Sequence, residues 1–465
     1  MNTSDWFTIS EEDRKSLDAL CASVEAALFV SDAPVSRADH DSIHEVIREM
    51  ESAMAACEQI KLRFGLLHDL IKLKSQGFTS DEVKAFYEED LAFLRMADHV
   101  YEENIRRRDF MFGYPANMQD DSFCTQYLRG MESRLYLMNN CGDPYQKGNY
   151  GMDSKDLEQK IISLVAENLG VSGHDYWGYI TSGGTEGNFW AIREGAKRLP
   201  GARVFFSADA HYSIEKYVTD MERRYVCIPT DGEGRMDVSA FCEAVESDPR
   251  ACVDGVVVIL TWGTTCSGAI DDVRAVTRYL SDHSIPYFCH LDAAHYGGIP
   301  GNQKNAPILH DVKALGIDTI AVSFHKYIGV ARVNGIVLAL SERKNRQKVD
   351  YIGQEDTTLL GSRDYSPLST YRKVREMMCR TGEDEYDRNI RFFVDLLNSR
   401  GIPYSRAGHG NIFVIDKPSD EICNTYQLAD FADRNGTPKA HVIIFPFHKP
   451  AIMEELADRL AAEQN

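Results

Sequence analysis

The rhythm of apolar positions changes along the chain. Up to about residue 110 they recur every three or four residues, as at Ile60, Phe64, Leu67 and Ile71 within Ile43–Leu73, and again through Val83–Val100. That spacing lays one apolar stripe along a helix. Thr79, Ser80 and Asp81 stand where the second stretch needs an N-cap, and no proline occurs between Val35 and Tyr114. A helical N-terminal extension over 1–110 is expected, packed on the main body or on a second subunit.

From Tyr114 short apolar, β-branched runs alternate with helical segments. Strands are expected at Tyr179–Thr181, Arg203–Ser207, Arg224–Ile228, Gly255–Leu260, Tyr287–Leu291, Thr319–Ser323 and Gly335–Leu340. Helices are expected at Ser154–Glu167, Gly187–Lys197, Ser213–Met221, Val238–Glu246, Asp271–His283 and Ile308–Leu315. This alternation describes an α/β large domain over 111–345 with a mostly parallel seven-stranded sheet. Over 346–465 the order becomes helix (Tyr371–Ser399), strand (Asn411–Ile415), helix (Asp420–Asp433), strand (His441–Pro446) and helix (Lys449–Ala462), a small C-terminal α+β domain.

Composition narrows the function classes. The 465 residues carry 51 Lys and Arg against 71 Asp and Glu, a formal charge of −20. Phosphate neutralisation needs cations, so nucleic acid and anionic membrane surfaces are poor partners. The hydrophobic share of 43% is enough for a sizeable core. No apolar run approaches bilayer length, and the first residues lack the cationic-then-apolar order of a secretory signal. Eleven cysteines are scattered without a CxxC pair or a Cys/His cluster. That usage suits a reducing, cytoplasmic setting and argues against a disulfide framework or a metal site.

Ligands of open α/β sheets sit beyond the carboxyl ends of the strands. Four such ends carry chemistry. Thr181-Ser-Gly-Gly-Thr-Glu-Gly-Asn188 joins a strand to a helix, either as a phosphate cradle or as a plain turn. It matches neither GxxxxGK[ST] nor GxGxxG. His211 follows the strand Arg203–Ser207. Asp292 closes an apolar strand, as a partner for a protonated ring nitrogen or as a cap. Lys326 follows Thr319–Ser323, as a solvated charge or as a Schiff-base amine. Together, a phosphate turn, a stacking imidazole, a carboxylate and an amine are the parts that pyridoxal 5'-phosphate (PLP) requires.

The stretch Phe112 to Ser366 resembles the group II PLP-dependent amino acid decarboxylases of fold type I, the aspartate-aminotransferase-like fold. Within them it is most similar to the bacterial histidine decarboxylase and plant-type serine decarboxylase branch. The matching text is Phe112-Gly-Tyr-Pro-Ala-Asn117, Asn139-Asn-Cys-Gly-Asp-Pro144, Tyr176 to Asn188, His211-Tyr-Ser213, Gly263-Thr-Thr265 with Gly268-Ala-Ile-Asp-Asp272, Asp292-Ala-Ala294 and His325-Lys326. The resemblance implies that Lys326 forms the Schiff base, His211 stacks on the ring, Asp292 pairs with the ring nitrogen, and Thr264 supports that carboxylate. Ala294 would pack on the other ring face. Gly184, Thr185, Ser323 and His325 would hold the phosphate, and Tyr114 and Asn117 would line the substrate mouth. Tyr351 would be the loop tyrosine that assists protonation, or else a buried aromatic. The family implies a homodimer with the site at the subunit interface.

The branch's usual Gly-Ser-Arg-Asn-Gly-His run reads Gly361-Ser-Arg-Asp-Tyr-Ser-Pro367 here. At a substrate entrance Asp364 would favour a cationic side chain and Tyr365 an aromatic one; in a turn both would be surface residues. His295 also departs from the branch and would touch substrate or fill space. The activity implied is an L-amino acid α-decarboxylase giving CO2 and a primary amine, with histidine first and serine as the alternative. An oxidative decarboxylase-deaminase, another bond cleavage with the same cofactor, or a catalytically dead scaffold are the competing readings.

Overall fold

The computed structural model describes residues 78–119, 122–133, 139–171, 176–301, 309, 312, 314–341, 343, 346–379, 385–408 and 410–464. The chain divides at Glu103/Asn104 into two compact units. The expected helical stretch Ile43–Leu73 lies outside the described residues, as does half of Ile308–Leu315.

The helix Ser80–Arg108 starts on a capping box. Thr79 donates its backbone N–H and its hydroxyl to Glu82 Oε2, both at 2.8 Å, and Glu82 N–H donates back to Thr79 Oγ1 at 3.3 Å. Thr79 is thus the cap among the three residues nominated by sequence.

Seven strands form the large sheet: β1 (Trp177–Thr181), β2 (Arg203–Ser207), β3 (Tyr225–Ile228), β4 (Val256–Thr261), β5 (Tyr287–Asp292), β6 (Thr319–Ser323) and β7 (Gly335–Ala339). Their spatial order is β1-β7-β6-β5-β4-β2-β3. Strand β7 runs antiparallel to β1 and β6, and the other pairings are parallel. Every residue of β1, β4, β6 and β7 is buried, which is why these strands read as continuous apolar runs. Alternation still decides which layer each side chain enters. Val256, Val258 and Leu260 join the main core, while Val257 and Ile259 face Ile192, Ile214 and Phe288 on the opposite side. Burying one such side chain contributes about 1.5–3 kcal/mol.

The second, three-stranded sheet is antiparallel, with β12 (Pro438–Ile443) between β10 (Ile412–Asp416) and β11 (Ala429–Ala432). The helices Glu385–Ser399 and Pro450–Gln464 pack together beside it. Three sequence expectations need correction here. The helix expected over Tyr371–Ser399 is two, Pro367–Met378 and Glu385–Ser399. The helix expected over Asp420–Asp433 ends at Thr425: Gln427 takes a left-handed turn (φ 50°), and the residues beyond it pair with the edge of β12. The hairpin β8 (Gln347–Val349) and β9 (Gln354–Asp356) was not anticipated, because its polar strands carry no apolar alternation.

Candidate active site

A cavity of about 360 Å3 opens beyond the carboxyl ends of β5 and β6. It is lined by Gly184, Thr185, His211, Asp292, Ala294, Ser323, His325, Lys326 and Tyr114, nine of the residues nominated from sequence. The sheet order puts them together: β5 and β6 are neighbours, and Asp292 is in register with Ala321 two residues before Ser323.

One end of the cavity is a helix N-terminus. Strand β1 passes through Gly183 into the helix Gly184–Arg198, and Gly184 N–H donates to Ser323 Oγ at 3.0 Å. A Cβ on Gly184 would lie 2.6 Å from Ser323 Oγ and 3.1 Å from the Ala294 Cβ, so a larger residue would push the cradle apart. Unpaired backbone N–H groups and the helix dipole favour an anion at this end. His325 Nδ1–H donates to Asn334 O at 3.2 Å, which leaves Nε2 as the ring's remaining polar atom.

Lys326 sits on a tightly pinned loop. Phe324, Tyr327 and Ile328 are buried around it. Lys326 O accepts from Asn117 N–H at 2.7 Å, and Tyr327 O accepts from Asn117 Nδ2 at 2.9 Å. Gly329 (φ 76°) closes the loop; a Cβ there would lie 2.4 Å from Asn117 O. Burial holds the Lys326 ammonium below its ordinary pKa, against the opposing pull of Asp292. An amine that deprotonates more easily is a better nucleophile toward an aldehyde.

Asp292 Oδ1 accepts from Ala294 N–H at 3.0 Å, and Oδ2 accepts from Asn188 Nδ2 at 2.7 Å. Asn188 was quoted in the glycine-rich motif but given no role by sequence reasoning. Its position one turn into the helix that begins at Gly184 was the available signal. His211 caps the helix Tyr212–Asp220: Ser213 N–H donates to its Nδ1 at 3.3 Å, and the Ser213 hydroxyl lies 2.7 Å from the same atom. Burial pushes the His211 pKa down; Asp292 opposes this and Lys326 adds to it. The downward shift favours the neutral imidazole.

Other nominated residues stand elsewhere. Thr264 does not support Asp292: its hydroxyl accepts from Ala269 N–H at 2.9 Å and pairs with Ser267 Oγ, and the next residue, Thr265, lines the cavity instead. Asn117 is buried and ties down the Lys326 loop rather than lining a mouth. Tyr351 is neither buried nor on the cavity wall. It is 72% exposed on the short turn Asp350–Ile352 between β8 and β9, where Ile352 takes the inward place. Tyr365 is buried and its hydroxyl meets Asn140 Nδ2, while Asp364 accepts from Ser366 N–H and pairs with Arg332. Neither lines the cavity. His295 is buried with Nε2 on Asn411 Oδ1 at 2.8 Å, and it fills space.

The donor set fits PLP. The helix N-terminus with Ser323 suits the phosphate, Asp292 a protonated ring nitrogen, Lys326 the aldehyde, and the Gly184 cradle leaves space that a Cβ would take. Fold and site together define an α/β PLP enzyme of fold type I.

Comparison with known proteins specifies the family. The pyridoxal-dependent decarboxylase conserved domain matches residues 194–372. A histidine decarboxylase of Pseudomonas entomophila (strain L48) is 30% identical over 385 residues, covering 79% of this chain and 90% of that protein. Serine decarboxylase 3 of Oryza sativa subsp. japonica is 29% identical over 358 residues, covering 75% and 76%. The crystal structure of an L-methionine decarboxylase from Streptomyces sp. 590 shares the fold with a TM-score of 0.68 at 23% identity, covering 83% of this chain and 96% of that one. The chain belongs to the pyridoxal-dependent decarboxylase family and is a PLP-dependent carboxy-lyase acting on an amino acid.

Proposed function

We propose that the substrate is L-histidine or a related neutral amino acid, decarboxylated at the α-carbon to CO2 and a primary amine. The observation that carries this reading is the chemistry of the cavity wall. Beyond the residues assigned to the cofactor, the described lining consists of neutral side chains, with Tyr114 and Tyr212 as flat surfaces and Pro115, Ala116, Thr265 and Val333 between them. A wall without a further charge disfavours substrates whose side chains are fully ionised. The similarity to histidine and serine decarboxylases supports the same class.

In this reading PLP, when bound, supplies the sink for the electron pair left behind by CO2. The chain's own residues do the rest. Gly184, Thr185, Ser323 and His325 hold the phosphate, and Asp292 holds the ring nitrogen in its protonated form. His211 and Ala294, both on the cavity wall, would bracket the cofactor's ring and limit its tilt, which is catalysis by positioning. Lys326 Nζ would deliver the proton that takes the place of CO2 on the α-carbon, a task helped by its lowered pKa.

The proposal includes a homodimer. Phe93, Met96 and Tyr101 on the helix Ser80–Arg108, and Tyr150, Met152 and Tyr351 elsewhere, are large apolar or aromatic side chains more than half exposed on the single chain. It also places the protein in the cytoplasm. The described cysteines are all free thiols, and no described helix is long and apolar enough to cross a membrane.

The test is to offer the PLP-loaded protein a pool of the common L-amino acids and to read amines and aldehydes together by mass spectrometry. Histamine is expected. An amine from an acidic or permanently cationic amino acid overturns the reading of the wall, and an aldehyde overturns the simple decarboxylation in favour of the oxidative reaction.

A further inference from the structure

Behind Asp292 lies a chain of neutral groups whose hydrogen-bond directions are all determined. The carboxylate can only accept, so the Asn188 atom facing it at 2.7 Å is the amide NH2. The Asn188 Oδ1 is then the acceptor that meets His290 Nε2 at 2.9 Å, so that nitrogen carries the imidazole's hydrogen. His290 is fully buried, and burial pushes its pKa down to about 4, with Asp292 as the opposing charge. A neutral imidazole has one N–H, so Nδ1 must accept. Its partner at 2.9 Å is the Thr319 hydroxyl.

The sheet fixes this geometry. His290 and Asp292 lie two residues apart on one face of β5, and His290 is the register partner of Thr319 on β6. Asn188 reaches both from the helix that packs on these strands. Hydrogens therefore point one way, from Thr319 to His290 to Asn188 to Asp292, and aligned bonds polarise one another. The chain ends on the carboxylate that faces the cavity.

We propose that Asn188, His290 and Thr319 are positioning residues that hold Asp292 as an oriented anion, and thereby set how firmly the cofactor's ring nitrogen keeps its proton. This rests on the reading that Asp292 pairs with that nitrogen. The relay acts through Asp292: His290 and Thr319 are buried behind the cavity, and Asn188, which also lines it, has its side-chain amide directed to Asp292 and His290.

The experiment compares Asn188→Leu, His290→Gln, Thr319→Val and Thr319→Ser with the parent and with Asp292→Asn. Each is read for PLP dissociation constant by fluorescence titration, for visible absorbance of bound cofactor against pH, and for kcat and KM. Expected is a graded effect. Asn188→Leu removes a charge-assisted hydrogen bond and should raise the PLP dissociation constant about tenfold. His290→Gln should give a smaller rise and Thr319→Val the smallest, with kcat falling more than KM changes. The apparent pKa of the cofactor absorbance should move in the same order, and Thr319→Ser, which keeps the hydroxyl, should restore the parent behaviour. Thr319→Val is nearly isosteric and keeps the test valid if a larger change fails to fold. If Asp292→Asn shifts affinity and spectrum while all relay variants behave as the parent, the relay is refuted alone. If Asp292→Asn also leaves both unchanged, the pairing of Asp292 with the ring nitrogen is refuted.

Discussion

The segment that departs from the histidine and serine branch is anchored by a buried ion pair, and removing one partner should cost far more than the sequence implies. Arg363 and Glu158 have side chains 3% and 0% exposed. Arg363 Nη2 donates to both Glu158 oxygens at 3.2 Å, and Nη1 donates to Gly142 O and Thr358 Oγ1. Glu158 also accepts from Asn140 Nδ2 at 2.8 Å and from Ile180 N–H at 2.9 Å. In Arg363→Met the carboxylate keeps two neutral donors but loses its counter-charge. In Glu158→Gln a guanidinium is left buried between a carbonyl and a hydroxyl. Breaking a buried pair from one side costs about 3–5 kcal/mol, against about 0–1 kcal/mol for an exposed one. With both changes no net charge remains buried. The double variant should then lose about as much as either single one, a coupling of roughly 3–5 kcal/mol. The assay is urea unfolding at fixed PLP concentration, followed by fluorescence and circular dichroism together, so that a common midpoint justifies a free energy. A loss below about 1 kcal/mol for Arg363→Met, or strict additivity in the double variant, would refute the reasoning.

Lys326→Ala should abolish turnover and the borohydride-reducible linkage to PLP, while the protein still takes up PLP non-covalently; retained turnover removes Lys326 from its role. Acid should destabilise the fold well before carboxylates are fully protonated. Burial lowers His290 to about 4, and His295 and His448 to about 3, so between pH 6.5 and 4 the unfolded chain binds protons that the folded chain refuses. Stability should fall with pH across that window, by about 2 kcal/mol per histidine at pH 5. Asp271, raised to about 6 by burial, works in the opposite direction as one group against three. Equal urea midpoints at pH 7.5 and pH 5 would contradict this.

The large sheet was legible because its central strands are buried on both faces and so read as uninterrupted apolar runs. Three cavity-lining positions were legible for the same reason: His211, Asp292 and Lys326 are polar residues placed at or just after the ends of such runs. What the sequence hid depended on three-dimensional neighbours. Thr264 and Thr265 are adjacent, and a one-residue alternation decides which of them meets the cavity. Asn188 looked like an ordinary polar residue in a first helical turn, and only the packing of that helix over β5 sets it on Asp292. Tyr365 lies in a polar, proline-ended run, yet the contact with Asn140 draws it inward. The hairpin β8–β9 has no apolar alternation to betray it.

The segment Phe112–Asn117 is a tie between distant parts of the same unit. At one end Phe112 O accepts from Ile443 N–H, and Gly113 O faces His441 Nε2 at 3.0 Å; at the other Asn117 holds the main chain of the Lys326 loop. Tyr114, Pro115 and Ala116, suspended between these knots, form part of the cavity wall. During synthesis, then, every residue that lines the cavity leaves the ribosome before β12, which secures one side of the wall. Chains emerge at about 5–20 residues per second, so the cradle waits seconds for its last fastener. A protein cut short before β12 would carry each of the other cavity-lining residues intact and still lack the strand that secures Tyr114, Pro115 and Ala116 beside them.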